Sequence, residues 1–311
     1  MLYFGQLHGY FMLKNSTIKL IFLFSWMLSL LLVSCSDSAA PVYQGSDIRI
    51  LKSLVANELE EEFQRHSYSL DELERGVPPL ILQTMPRDLS QINSSARKKE
   101  LFFKSLLPMI LLANNEIRLE RKHLSKFRQQ LKHGSDLSDD QLHQLTLLAK
   151  RYKIKSASLT STQAINELLS RVDTIPAGLA LAQAANESAW GTSRFSQQAN
   201  NLFGEWTFIK GAGIVPEGRP DGATYEVRRF ENVYESIRSY LLNLNTHFAY
   251  KELRQIRAEA RAAGEPLDGS KLAEGLFRYS IRGEEYVRDL QSMIRSNRLS
   301  RFAAVSLRSR G

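Results

Sequence analysis

The chain has 311 residues, enough for one large or two modest domains with real cores, and 43% hydrophobic and 24% charged residues are ordinary for a soluble globular protein. A formal net charge of +8 favours an anionic partner, be it nucleic acid, anionic lipid or a carboxylate-bearing wall polymer. Zinc-finger spacing, a basic zipper and an aromatic RNA-binding motif are all missing, so nucleic acid is set aside. The single cysteine, Cys35, excludes an internal disulfide, and no Cys/His cluster carries the spacing of a zinc site.

Residues 1–35 read as a targeting segment. Lys14 and Lys19 precede an apolar run, Leu20 to Val33, interrupted by Ser25 and Ser29 and too short for a comfortable membrane span. The run ends Leu32-Val33-Ser34-Cys35, which resembles a bacterial lipobox, in which the cysteine is lipidated and becomes the new N-terminus. Ser36, rather than Asp, follows it; by resemblance to lipoprotein sorting signals this implies the outer membrane, on the periplasmic face of the envelope. A plain secretory signal cleaved near Ala39-Ala40 is the alternative, and Met12 is an alternative start. Residues 36–48, with Pro41 and Gly45, read as a tether.

Next, Ile48, Leu51, Leu54 and Val55 share one face of a helix-like stretch. The acidic run Glu58 to Glu62 reads as a solvated face, Ser69-Leu70-Asp71-Glu72 as a helix start, and Pro78, Pro79 and Pro86 as breaks. From Ser95 to Leu131, Leu101, Phe102, Leu106, Ile110, Ala113, Ile117, Leu124 and Phe127 recur at helical spacing, with Pro108 expected to kink or divide the segment. His123, His133 and His143 are scattered and read as surface residues. Ser138-Asp139-Asp140-Gln141 opens a helix to Arg151, and a shorter one runs from Thr162 to Val172. Residues 49–172 thus form a helical region with no catalytic constellation, either a support packed on the C-terminal half or an independent interaction domain.

The stretch Leu179 to Gly191 is a helix of small and apolar residues, with Pro176 suited to its first turn, Asp173 or Thr174 to its cap and Gly191 to its left-handed end. In its last turn sits one carboxylate, Glu187. The helix C-terminus and partial burial beside Trp190 both favour its protonated form, which is what a general acid requires. A carboxylate paired with Arg194, or simply solvated, is the plainer alternative. Downstream lies Asn200-Asn201-Leu202-Phe203-Gly204. Together, the Gln-Ala-Ala-x-Glu-Ser-x-Trp-Gly helix and the Asn-Asn-Leu-Phe-Gly turn resemble the glucosaminidase family, glycoside hydrolase family 73, whose members are peptidoglycan hydrolases of lysozyme-like α+β fold. Val77-Pro78-Pro79-Leu80 and Phe102 to Pro108 extend the resemblance to the Bax-like proteins of Gram-negative bacteria.

From Gly204 to Phe230, aromatic and β-branched residues among glycines and prolines predict short strands, a small β-lobe opposite the Glu187 helix with a groove between. Glycoside hydrolysis generally uses a second carboxylate; the candidates are Glu205, Glu217, Asp221, Glu226 and Glu231. The family's second acid lies in this lobe, before a Phe-x-x-Tyr-x-Ser element that Phe230 to Ser236 matches. Glu226, in a predicted strand, comes first and Glu217 second; a strand pair of Glu226 with Arg228 or Arg229 is the structural alternative. Helices are expected at Ser236–Tyr250, Lys251–Ala263, Ser270–Tyr279 and Glu284–Asn297, then a frayed basic tail, 301–311.

Tyr279 and Tyr286 resemble the family's paired-tyrosine segment, with Tyr286 near Glu187 and Tyr279 either in the groove or packing a helix. The expected site is therefore Glu187 and Glu226 as acids, with Trp190, Asn201, Phe203, Tyr279 and Tyr286 on the substrate. The expected fold is α+β and mostly helical, with a glucosaminidase-like domain over 173–300. The resemblance implies an endo-β-N-acetylglucosaminidase acting on peptidoglycan glycan strands, with no metal or organic cofactor, held to the membrane by lipid at Cys35. A muramidase or lytic transglycosylase, and a non-catalytic envelope scaffold, are the alternatives.

Overall fold

The structure, a computed structural model, describes residues 48–52 and 54–308; the lipobox segment with Cys35, the tether up to residue 47 and the last three residues lie outside the described residues. The first element is a strand, β1 (Arg49–Leu51), where a helix-like stretch was expected, and helix α1 (Ala56–Arg65) starts only after it. The reason is a partner distant in sequence. The wholly buried run of β2 (Leu80–Leu82) pairs with β1 in parallel, Arg49 opposite Leu80 and Leu51 opposite Leu82, and buries Leu51. The N-terminus of α1 is satisfied by Asp88, whose Oδ1 accepts from the Ala56 amide at 2.8 Å. Glu62, in the run read as a solvated face, is buried and pairs with Arg65 at 2.6 Å and Arg49 at 3.4 Å. No helix follows Ser69, whose hydroxyl accepts from the Asp71 amide in a local turn.

Helix α2 (Ser95–Lys132) is continuous through Pro108. Proline costs the helix one hydrogen bond and a steric clash, about 3 kcal/mol. Here every residue from Ser105 to Asn114 is buried, and that packing offsets the cost. Ser94 caps α2 and Ser138 with Gln141 forms a capping box on α3 (Asp139–Arg151); α4 (Thr162–Arg171) follows. The exposed His123, His133 and His143 all lie on or beside α2 and α3.

Helix α5 (Ala177–Ser188) starts after Pro176 with no side-chain cap. Asp173, expected to cap it, is buried instead: Arg261 donates to both its carboxylate oxygens, and Arg257, itself 1% exposed, lies 3.9 Å away. Then come α6 (Arg194–Ala199) and the β-lobe, strands β3 (Trp206–Thr207), β4 (Gly213–Ile214) and β5 (Glu226–Arg228). The sheet is antiparallel in the order β3-β5-β4, with Trp206 opposite Val227 and Gly213 opposite Arg228. Helices α7 (Val233–Thr246), α8 (Lys251–Ala262), the short α9 (Gly269–Ala273) and α10 (Glu284–Ser296) complete the body. The fold is α+β and mostly helical.

Helix α2 packs on α4, α5 and α7, so the 49–172 helices and the later half share one hydrophobic core. A 3-10 turn, Leu299–Phe302, lies against α5 so closely that a methyl on Gly178 would come 2.7 Å from the Leu299 carbonyl oxygen. The described part of the basic tail is not frayed. Leu307 bridges Val77 in parallel, and the Arg308 guanidinium donates to the carbonyls of His66, Ser67 and Gly76. Backbone and cation together find partners there, which fixes the segment.

Candidate active site

Helix α5 is buried from Ala177 to Ala185, as an apolar and small-residue sequence requires, and reaches the surface at Glu187. It stops abruptly. Ala189, Trp190 and Gly191 all have left-handed backbone, with φ of 50°, 60° and 78°. The first two carry side chains that disfavour it. Ser188 holds this turn, its hydroxyl donating to the Ala184 carbonyl at 2.6 Å and accepting from the Gly191 amide at 2.8 Å. At Gly191 a methyl would meet Met85, Leu89 and Phe102 at 3.0 to 3.3 Å. The turn throws the Trp190 ring onto Phe102 and Phe103 of α2, with centroids 5.6 and 5.5 Å apart and the Lys99 ammonium 5.0 Å from it. Trp190, expected on the substrate, braces the end of α5 against α2.

Glu187 is half-buried at the end of this helix. Behind it is a hydrogen-bonded wall. Gln183, one turn earlier on the same face and fully buried, donates through Nε2 to the Tyr286 hydroxyl at 3.0 Å and accepts from the Tyr240 hydroxyl at 2.6 Å. Tyr286, accepting from Gln183, has its own proton left to give to Glu187, its other hydrogen-bond partner. Tyr279 stacks on Tyr286 at 5.4 Å and donates to the Phe203 carbonyl, and Phe203 stacks on Tyr240 at 3.8 Å. Burial above all pushes the Tyr240, Tyr279 and Tyr286 hydroxyls well above their usual range, and the nearby Glu187 charge adds to it, so they stay neutral donors. Phe203, Tyr279 and Tyr286 were expected to contact substrate. At 3%, 8% and 1% exposure they do not present a ring to a sugar; they build the wall behind Glu187.

Burial is also the largest influence on Glu187 and raises its proton affinity. Hydrogen bonds from Tyr286 and from Asn186, the latter at 3.2 Å, oppose this without cancelling it. Arg194 does not pair with it; that guanidinium lies 3.5 Å from the exposed Glu217.

The β-lobe is joined to the helical body by Asn201, which is buried. Its Nδ2 donates to the Glu205 and Arg228 carbonyls, each at 2.8 Å, and its Oδ1 accepts from the Glu205 amide at 3.0 Å. Asn201 therefore positions Glu205 rather than a ligand. Glu226 is buried with both carboxylate oxygens taken by backbone amides, Gly211 at 3.0 and 3.1 Å and Gly213 at 2.9 Å. It staples the β3–β4 turn, and neither arginine considered beside it is its partner: Arg228 bonds Ser239, and Arg229 donates to the Gln198 carbonyl. Glu217, Asp221 and Glu231 are exposed.

Glu205 differs from all of these. Ser239 donates to its Oε2 at 2.7 Å and Arg228 lies 3.8 Å away, while its Oε1 is buried without a hydrogen-bond partner. Burial chiefly pushes its carboxyl up. The buried Tyr250 hydroxyl is raised by burial and then by the charges of Glu205 and of Glu187. Gln183, Tyr240 and Tyr250 were not singled out from the sequence. The signal for Gln183 was there: it lies four residues before Glu187 on one helix face.

A carboxyl pushed up by burial at a helix end, backed by buried tyrosines and with a second buried carboxyl on the β-lobe, is an arrangement that acid catalysis of glycoside hydrolysis can use. The glucosaminidase family model, described as mannosyl-glycoprotein endo-beta-N-acetylglucosaminidase, matches residues 162–299, which contain every one of these residues. Protein bax of Escherichia coli (strain K12) is 34% identical over 210 residues, covering 68% of this chain and 73% of that protein. The chain belongs to the glucosaminidase family, as a Bax-like protein with a glucosaminidase domain. No solved structure matches it.

Proposed function

We propose that this protein is an endo-β-N-acetylglucosaminidase that hydrolyses the glycan strands of peptidoglycan. The observation that carries the reading is the carboxyl of Glu187, half-buried at the end of α5, held near its proton by burial and oriented by Tyr286 and Asn186. Its proton goes to the glycosidic oxygen as the bond to the anomeric carbon breaks and positive charge grows on the sugar. Tyr286 remains hydrogen-bonded to the carboxylate that is left and stabilises it. For the second carboxyl, Glu205 takes the place first given to Glu226, because Glu205 keeps an uncommitted oxygen and Glu226 does not. Its role is to direct water or to stabilise the developing charge. Lipid anchorage through Cys35 at the periplasmic face of the outer membrane belongs to the same reading and stands on the lipobox.

The experiment incubates the full chain, purified in mild detergent, with isolated peptidoglycan beside Glu187→Gln, and identifies reduced fragment ends by mass spectrometry. Reduced N-acetylglucosamine ends from the wild type, with a loss of about 10²–10⁴-fold in the variant, support the reading. Reduced muramic ends would make it a muramidase, and anhydro ends a transglycosylase. Sacculus binding without release by either protein would leave a scaffold.

A further inference from the structure

Three helices meet behind Glu187 in a chain of hydrogen bonds that runs one way. Tyr240 of α7 donates to Gln183 Oε1 at 2.6 Å, and Gln183 of α5 donates through Nε2 to Tyr286 of α10 at 3.0 Å. Tyr286 in turn bonds Glu187. Stacking fixes the tyrosine rings, Tyr240 on Phe203 at 3.8 Å and Tyr286 on Tyr279 at 5.4 Å. What is left to decide is the direction of each hydroxyl proton, and which end of the Gln183 amide meets which tyrosine.

With the amide turned over, Nε2 would donate to Tyr240 and Oε1 would accept from Tyr286. Tyr286 would then spend its one proton on Gln183, and Glu187 would lose it. Tyr240 opposes that arrangement. Its hydroxyl is buried and has no other acceptor among the described residues, so the turned amide would leave its O–H buried and unpaired, which folded proteins rarely carry. We propose that Tyr240 is a positioning residue for the acid: it fixes the Gln183 amide, and the amide fixes the Tyr286 proton on Glu187. A hydroxyl that accepts a hydrogen bond is also the stronger donor, so the chain favours the carboxylate left when the proton departs. The other groups that act on Glu187 are Asn186 of its own helix, the charge of Arg282 ahead of α10, and the Tyr250 and Tyr279 hydroxyls, which burial keeps neutral. The inference rests on the reading of Glu187 as the acid, and adds what lets a buried carboxyl give its proton up.

The test titrates Glu187 directly, by carbon-13 NMR of the full chain labelled at its glutamate carboxyls, with Glu187→Gln identifying the signal. Tyr240→Phe frees the amide to turn, and Gln183→Met removes it. Each should move the Glu187 titration up by about half to one pH unit, the size expected for weakening one hydrogen bond to a charged group. Neither should move it further once Tyr286→Phe is present, because both act through that hydroxyl. The alkaline limb of kcat on peptidoglycan should follow the same pattern. A titration unchanged or lowered in both single variants, or a shift that persists beside Tyr286→Phe, would overturn the proposal; a purely structural role for Tyr240 predicts the first of these, with stability alone reduced. If wild type releases no fragments, the hydrolase reading fails, and the titration still decides the role of Tyr240.

Discussion

At the scale of single residues, the site separates carboxylates by what holds their oxygens. Glu226 accepts three amide bonds from Gly211 and Gly213, and Glu205 keeps one oxygen free. Exchanging Glu226 for Gln places an amide N–H against a backbone N–H. The lobe should lose about 1–3 kcal/mol, visible as faster hydrogen exchange at Gly211 and Gly213. Glu205→Gln should leave that exchange unchanged and lower kcat; the reverse pattern would restore Glu226 as the second acid. The direction of the Glu187 shift also sets a pH profile. A general acid works while protonated, so kcat should fall on the alkaline side, at a pH above the ordinary carboxylate range. Tyr286→Phe removes a hydrogen bond that favours the ionised form, so that alkaline limb should move higher still.

At the scale of elements, the turn that ends α5 is where acid and brace meet. Gly191→Ala would force a side chain into left-handed backbone and against Met85, at a cost of about 1–2 kcal/mol by urea unfolding. The helices were legible where the pattern was local: the Ser138 capping box, the Leu101 to Phe127 stripe and the alanine-rich α5 all name themselves. What escaped the sequence depended on distant partners. Strand β1 exists because Leu80–Leu82 lies beside it. Asp173 looks like a cap until Arg257 and Arg261 arrive from α8. Tyr286, expected near Glu187, bonds to it, and Phe203 and Tyr279 pack in the wall beside Tyr286, but an aromatic that contacts sugar and one that walls a carboxyl have the same local pattern. Only burial separates them.

At the scale of the molecule, Asp173 ties α8 to the start of α5 and contributes a pH-dependent part of the fold's stability. Burial alone would raise its carboxyl. The Arg261 hydrogen bond and the charges of Arg257 and Arg121 outweigh that and hold it low. A depressed carboxylate contributes stability above its unfolded-state value and loses it as the pH falls through the folded one. Glu187 and Glu205, raised by burial, have the opposite sign: their contribution is complete below the ordinary carboxylate range and is lost as the pH rises through their folded values. Asp173→Asn should therefore flatten the acid limb of stability against pH, and should cost about 3–5 kcal/mol near neutrality by leaving Arg257 buried without its countercharge. Denaturant unfolding between acidic and neutral pH measures both. The strand bridge from Leu307 to Val77, with Arg308 closing on residues 66, 67 and 76, has a consequence in time. The early segment 66–77 is completed by residues made more than 200 positions later, as the 232-residue separation of Arg308 from Gly76 shows. On the ribosome that segment waits with an open edge, and it closes only once residue 308 has emerged.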